Sequence, residues 1–389
     1  MLTLLIACTG PIASVATHPQ ADTAGQETSD TSSDVRVHTG QSSAWDAILV
    51  SGQGWWSSVA VVQESPLQLA SSNNGFWDGN DFLFEGFVAS AEFDLSLQDR
   101  TAFVYSQASS ELRSGTVVGV GDVRGDGTAS IASVSNAGLT LLTGPFPATA
   151  DGEIVPWAHT LQGWTPGGDL APCDADQDGQ PDLCTALGVD RGPIDGTPDT
   201  TWPTDFPDDF ARQHLAIGRT PITVAWIPTE SGVAQLDLTE TGALDPGTAP
   251  TWMAPASHTV TALASVDPDG DGLDALLVCS GPDHAVRLLD SFPADSPPFL
   301  TLDAPCDALE VADFDGDGAL ELAVGAASRV RIHELDGTLL AEHVGRYNPG
   351  ADGLGKSMDS ADIDGDGRAD LLVAAPDEGA LYLTLNAVP

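Results

Sequence analysis

Gly355 to Pro376 reads GKSMDSADIDGDGRADLLVAAP, and the fold follows from how its acidic half joins its apolar half. Asp362, Asp364 and Asp366 alternate with other residues, Gly365 and Gly367 give the backbone freedom to turn, and Asp370 opens the apolar run Leu371 to Ala375. Carboxylates at positions 1, 3, 5 and 9 of such a loop can converge on one cation, and the carbonyl of position 7, Arg368, adds an oxygen. An all-oxygen set of that size suits Ca2+ better than a transition metal. An EF-hand would place a Glu at position 12 between two helices. Here position 12 is Val373, inside a β-type run, so the loop is flanked by strands.

The phrase recurs. Aligned on their first Asp, five clusters begin at Asp122, Asp174, Asp267, Asp313 and Asp362, at intervals of roughly fifty residues with one gap nearly twice as long. That gap contains His214 to Ile227, HLAIGRTPITVAWI, which reads as the same strand, turn, strand unit with its loop shortened. One further step back reaches Asn73-Asn74-Gly75, a turn signal for a first unit. A period of this size marks a propeller or a solenoid. The unit after Asp313 decides: Glu321 to Ala327, Arg329 to Leu335 and Thr338 to Val344 are short β-type runs separated by turns such as Asp336-Gly337. With the strand leading into the loop they make a four-stranded blade.

The expected fold is therefore all-β, a seven-bladed β-propeller of four-stranded blades over residues 43–389, with Ca2+-binding DxDxDG loops. After Asp362 only two strands follow, at Asp370 to Ala375 and Ala380 to Asn386. Asp46 to Ser51 is expected to supply the missing strand of that last blade, closing the ring and removing an open edge.

Three loops carry the full donor set. They are Asp174, Asp176, Asp178 and Asp182 with the Gln180 carbonyl; Asp313, Asp315, Asp317 and Glu321 with the Ala319 carbonyl; and Asp362, Asp364, Asp366 and Asp370 with the Arg368 carbonyl. A fourth, Asp267, Asp269 and Asp271 with the Leu273 carbonyl, has Ala275 at position 9 and Asp274 one residue early, so a weaker or rearranged site is expected. In the loop from Asp122, Arg124 and Ser130 replace two ligands, and a guanidinium would occupy the place of the ion. The alternative for each loop is an Asp/Gly turn without metal.

Charge sets the excluded partners. Against 57 acidic residues stand 13 basic ones, a net charge of −44, and Lys356 is the only lysine. Nucleic acid is excluded, because neutralising phosphates requires Lys and Arg, whereas cations are attracted. Part of the excess is a solvated surface that maintains solubility, but the clustered Asp residues at fixed spacing go beyond that. The content of Gly and Pro, 41 and 27 residues, fits many tight turns between short strands.

Met1 to Cys8, MLTLLIAC, ends in Leu5-Ile6-Ala7-Cys8, which resembles the lipobox of bacterial lipoproteins. The resemblance implies cleavage before Cys8 and lipid on its thiol, although the run is short and lacks a basic n-region. Residues 9–42, rich in Ser, Thr, Ala and Gln, read as a disordered tether. Four cysteines remain. Cys173 and Cys184 bracket one acidic loop, and Cys279 and Cys306 lie in neighbouring units, an arrangement that suits two disulfides in an exported protein. Four buried free thiols are the alternative.

Gly355 to Pro376 also resembles the FG-GAP repeat of integrin α-subunit propellers and the related VCBS repeats of bacterial surface proteins. Leu354-Gly355 stands where that family has Phe-Gly, Ala374-Ala375-Pro376 where it has Gly-Ala-Pro, and the DxDxDGxxD loop lies between them. The resemblance implies a seven-bladed propeller with calcium in loops between the first two strands of some blades. It implies no substrate.

No HExxH, GxSxG or phosphate-cradling glycine loop is present, and the eight histidines form no spaced metal pair. Arg124-Gly125-Asp126 lies in the decayed loop, and Trp55, Trp56 and Trp77 read as strand-packing aromatics before a sugar platform. The expectation is a monomeric, lipid-anchored envelope protein, or a secreted one, that binds an extracellular protein or glycan without catalysis and touches the membrane only through its anchor. Alternatives are a polysaccharide lyase or hydrolase using a carboxylate pair among the many acids, and a structural envelope component.

Overall fold

The computed structural model describes residues 35–388 apart from a number of connecting segments, the longest being 144–157 and 202–214. Residues 1–8, read above as a signal segment with Cys8 as its lipidation candidate, most of the stretch read as a tether and residues 123–129 of the Asp122 loop lie outside the described residues.

Every regular element described is a strand, and the strands assemble into seven sheets of four or five strands plus one two-stranded hairpin. Pairing is antiparallel throughout except between Thr200–Thr201 and Gly242–Ala243. In chain order the first sheet comprises Trp56–Glu64, Leu67–Asn73, Phe87–Phe93 and Arg100–Ser106; the second opens with Ser114–Gly121 and the third with Leu170–Cys173. The fourth opens with Ala216–Arg219, the fifth with Thr259–Val266 and the sixth with Cys306–Ala312. The terminal sheet opens with Ser357–Ala361 and continues through Asp370–Ala375 and Ala380–Thr384. Trp45–Ser51 then pairs with Ala380–Thr384, for example Ile48 with Tyr382. The near-N-terminal strand thus completes the last sheet. Val35–Ser42 adds a fifth strand outside it, which corrects the C-terminal end of the tether. Its polar composition hid the strand, although Val35 and Val37 carry the period of two.

The leading strands touch in a cyclic order. Ser357–Ala361 contacts Trp56–Glu64, which contacts Ser114–Gly121, and the contacts continue through the third, fourth, fifth and sixth leading strands back to Ser357–Ala361. At the seam between the terminal and first sheets, the Val59 N–H donates to Ser357 Oγ (3.2 Å) and the Val61 N–H donates to Asp359 Oδ2 (2.6 Å).

Between neighbouring sheets lies the core. Second strands are buried along their whole length, as in Ala275–Gly281, Glu321–Ala326 and Asp370–Ala375. This explains their continuous apolar sequence: both faces meet another sheet. Phe314, Val330, Ile332, Met358, Val373 and Tyr382 fill the space between the sixth and terminal sheets, and Leu277, Val286, Leu309, Leu322 and Val324 that between fifth and sixth. Trp226, 1% exposed, packs with Val260, Leu276 and Val278 between fourth and fifth. A closer approach occurs at Gly325 and Gly355. A Cβ on Gly325 would lie 2.1 Å from the Gly355 carbonyl oxygen, and one on Gly355 would lie 2.7 Å from Gly325 Cα. The glycine of Leu354-Gly355 is therefore the point where one sheet's entry turn presses on the second strand of the sheet before it.

One sequence expectation shifts and another holds. In the first sheet Glu64 pairs with Leu67 between the first two strands, and Asn73 ends the second strand. The extra hairpin Phe76–Trp77 with Phe82–Leu83 then precedes the third strand, and that insertion displaced the expected repeat. At 214–227 the expected unit is present: Ala216–Arg219 pairs with Thr223–Thr229.

Candidate metal centre

Each acidic loop joins the first strand of its sheet to the second, so all four occupy one position of the repeat. The local sequence builds them alike. In the loop from Asp362, Gly365 and Gly367 adopt φ of 78° and 90°, which lets the N–H groups turn inward. Asp362 accepts from the N–H of Gly365 (2.8 Å) and of Gly367 (3.0 Å), Asp364 from that of Asp366 (3.1 Å), and Asp366 from that of Arg368 (2.9 Å). Asp370 Oδ2 reaches back from the second strand to the N–H of Ile363 (2.7 Å) and Asp364 (3.3 Å).

The loop from Asp313 repeats this pattern, with Glu321 Oε2 accepting from Phe314 (2.6 Å) and Asp315 (3.3 Å). In the loop from Asp174, Asp182 Oδ2 accepts from Ala175 (2.7 Å).

Carboxylate oxygens converge in four places, each set lying within 4.8 Å of one another: Asp313, Asp315, Asp317 and Glu321; Asp174, Asp176 and Asp182; Asp362, Asp364 and Asp370; and Asp267, Asp269 and Asp271. Of the residues expected at positions 1, 3, 5 and 9, Asp178 and Asp366 are not in these sets. Each accepts the N–H of position 7, Asp178 from Gln180 at 2.7 Å, as do Asp271 and Asp317, which nonetheless join their clusters. In the Asp267 loop the early Asp274 turns away. Its Oδ2 accepts from the Arg219 N–H (2.6 Å) and its own N–H donates to the Arg219 carbonyl (2.5 Å), stitching the fifth sheet to the fourth. Position 9 there is Ala275, so no buried carboxylate backs that cluster. Neighbouring turns are tied elsewhere too: the Ala369 N–H donates to the Asp313 carbonyl (2.8 Å) and the Thr223 hydroxyl to the Asp174 carbonyl (3.1 Å).

The donor chemistry fits a hard cation. Glu321 and Asp370 are fully buried, yet Glu321 Oε1 and Asp370 Oδ1 have no hydrogen-bond partner, and neither does the buried Asp174 Oδ1. Buried charge without a partner is costly. Burial, reinforced by Asp315 and Asp313, pushes the Glu321 carboxyl up to about 7, and burial with Asp364 and Asp366 does the same to Asp370. A divalent ion among these oxygens would remove that cost.

The predicted cysteine pairs are joined. Cys173–Cys184 brackets the Asp174 loop and Cys279–Cys306 links the fifth and sixth sheets. Glu310 and Asp359, on adjacent leading strands, were not singled out by sequence reasoning. The Ser360 hydroxyl donates to Glu310 Oε1 (2.7 Å) while its N–H donates to Asp359 (2.9 Å). Burial raises both carboxyls above their usual range, and Asp359 raises Glu310 further.

Among solved structures, one described as "COPII on membranes, outer coat vertex" is similar at a TM-score of 0.56 and 10% identity, over 85% of this chain and 84% of that one. Another, "The structure of the COPII coat assembled on membranes", gives the same score and identity over 85% of this chain and 46% of that one. These are β-propeller coat proteins, and the likeness defines a β-propeller-like fold. Residues 313–373, which span the two loops from Asp313 and Asp362, match the FG-GAP-like repeat family. No curated protein matches the chain significantly.

Proposed function

We propose that this chain is a seven-bladed, calcium-stabilised β-propeller that serves as a non-catalytic binding scaffold for an extracellular protein or glycan. The observation that carries the reading is the repeated convergence of carboxylates, backed in two loops by a fully buried oxygen without a partner, at one position of successive sheets. The cyclic contacts of the leading strands and the pairing of Trp45–Ser51 with Ala380–Thr384 support ring closure into seven blades. Asp174, Asp176, Asp182, Asp313, Asp315, Asp317, Glu321, Asp362, Asp364 and Asp370 would hold calcium, with Asp267, Asp269 and Asp271 forming a weaker site. Calcium supplies charge neutralisation to the fold, and ligand recognition falls to the variable loops. Two disulfides support an exported location, and the Cys8 lipobox would tether the propeller to the envelope.

The test is capture of envelope proteins and of a polysaccharide panel by the full chain, with and without calcium, with product analysis in parallel. Calcium-dependent capture without turnover supports the scaffold. Cleavage of a polysaccharide would replace it with the lyase or hydrolase reading, and absence of capture from every source would favour a purely structural protein.

A further inference from the structure

The Asp174 loop differs from its three counterparts in two independent ways. At position 4 the others have Gly270, Gly316 and Gly365, all at positive φ, whereas this loop has Gln177 at φ 61°. A side chain in that conformation is disfavoured, and the free loop resists the shape that gathers its carboxylates. Among the four loops, this one alone is closed at both ends by a disulfide. Cys173 immediately precedes Asp174, and Cys184 lies on the second strand two residues beyond Asp182. In the strand register Cys173 faces Asp182 and Cys184 faces Ala171, so the covalent link crosses the root of the loop diagonally. Gln177 Nε2 also donates to Thr223 Oγ1 (3.4 Å), whose hydroxyl donates to the Asp174 carbonyl (3.1 Å). The loop with the least favourable backbone is the one with the most external restraint.

We propose that the Cys173–Cys184 disulfide sets the cation affinity of the Asp174 loop, making this site, among the four, responsive to dithiol reductants. The proposal rests on the calcium reading above. Reduction is balanced: a dithiol gives two electrons and two protons, becomes a cyclic disulfide, and leaves Cys173 and Cys184 as thiols. Cys173 is half-buried and Cys184 buried, so attack falls on the Cys173 sulfur. Once the link is open, the left-handed Gln177 must be held by Thr223 and the strand pairing alone.

The experiment is a calcium titration of the full chain followed by peptide-resolved hydrogen–deuterium exchange. That readout reports the loops at 174–182, 313–321 and 362–370 separately. Cys173→Ser/Cys184→Ser is expected to weaken calcium protection at 174–182 about ten-fold, equivalent to about 1.4 kcal/mol, and to leave the other two loops unchanged. Gln177→Gly in that background is expected to recover most of the loss. If the double variant does not fold, Gln177→Gly in the disulfide-intact protein carries the test, with a several-fold gain expected at 174–182 alone. Equal affinity with and without the disulfide, or no gain from Gln177→Gly, overturns the proposal while leaving calcium binding intact. No calcium protection at any loop of the oxidised protein overturns the calcium reading and this proposal together.

Discussion

Replacing Gly355 by Ala tests the contact that fixes neighbouring sheets against each other. Two costs act at this residue and can be separated with other glycines. Gly355 has φ +86°, so an alanine must adopt a left-handed backbone, at about 1–2 kcal/mol. Its Cβ would also lie 2.7 Å from Gly325 Cα and 3.2 Å from the Arg329 carbonyl oxygen. Both are backbone atoms that no rotamer change can move, and overpacking of this kind costs about 1–3 kcal/mol. Gly318→Ala isolates the first cost, because φ is +89° with no neighbouring atom within 4 Å. Gly325→Ala isolates the second: its backbone lies outside the left-handed region, but its Cβ would meet the Gly355 oxygen at 2.1 Å. Denaturant unfolding in excess chelator, which removes any effect of metal, is expected to rank the losses Gly318→Ala at about 1, Gly325→Ala at about 2 and Gly355→Ala at about 3–4 kcal/mol. The last is a large share of the roughly 5–15 kcal/mol that holds a typical domain folded. If Gly355→Ala costs no more than Gly318→Ala, the two sheets do not meet backbone to backbone and the packing argument fails.

Asp370→Asn and Glu321→Gln are each expected to remove about one equivalent of bound calcium at neutral pH, because each supplies the buried oxygen that closes its cluster; elemental analysis after dialysis checks this. Glu310 and Asp359 should make metal-free stability depend on pH. Both have carboxyls raised by burial in the folded chain, so the fold binds more protons than the unfolded chain. The corresponding stability is fully present below the unfolded carboxylate value of about 4 and is lost as pH rises through the folded values. Melting temperature in chelator should fall between about pH 5 and 8, and Glu310→Gln should flatten that fall. Arg331 bridges Asp303 (2.8 and 3.1 Å) and Glu342 (2.7 Å) across the outer part of the sixth sheet. As the pairs are partly exposed, Arg331→Met should cost only about 1 kcal/mol by the same unfolding assay.

The sixth and terminal sheets were legible almost to the residue. Their second strands are apolar after an opening carboxylate, Gly and Asp mark their turns, and the observed Glu321–Ala326 and Arg329–Glu334 end within a residue of the runs expected. The first sheet was less so, because Asn73-Asn74-Gly75 is a stronger turn signal than Ser65-Pro66 and a hairpin follows it. Cluster membership was legible by spacing for Glu321 and Asp370. It was not for Asp178 and Asp366, which share the spacing and the position 7 hydrogen bond of Asp271 and Asp317 yet stay outside their clusters, nor for Asp274, whose partner Arg219 is distant in sequence. Glu310 and Asp359 could not be singled out at all. Nothing local distinguishes them from the many solvated acids, and only the meeting of two leading strands pairs them.

The function proposed above makes the acidic loops calcium sites that stabilise a closed ring. Its most direct measurement is the calcium bound by the chelator-stripped full chain after equilibrium dialysis at neutral pH. About three tightly held equivalents are expected, with a weaker fourth filling at higher calcium. Fewer than one equivalent would contradict it.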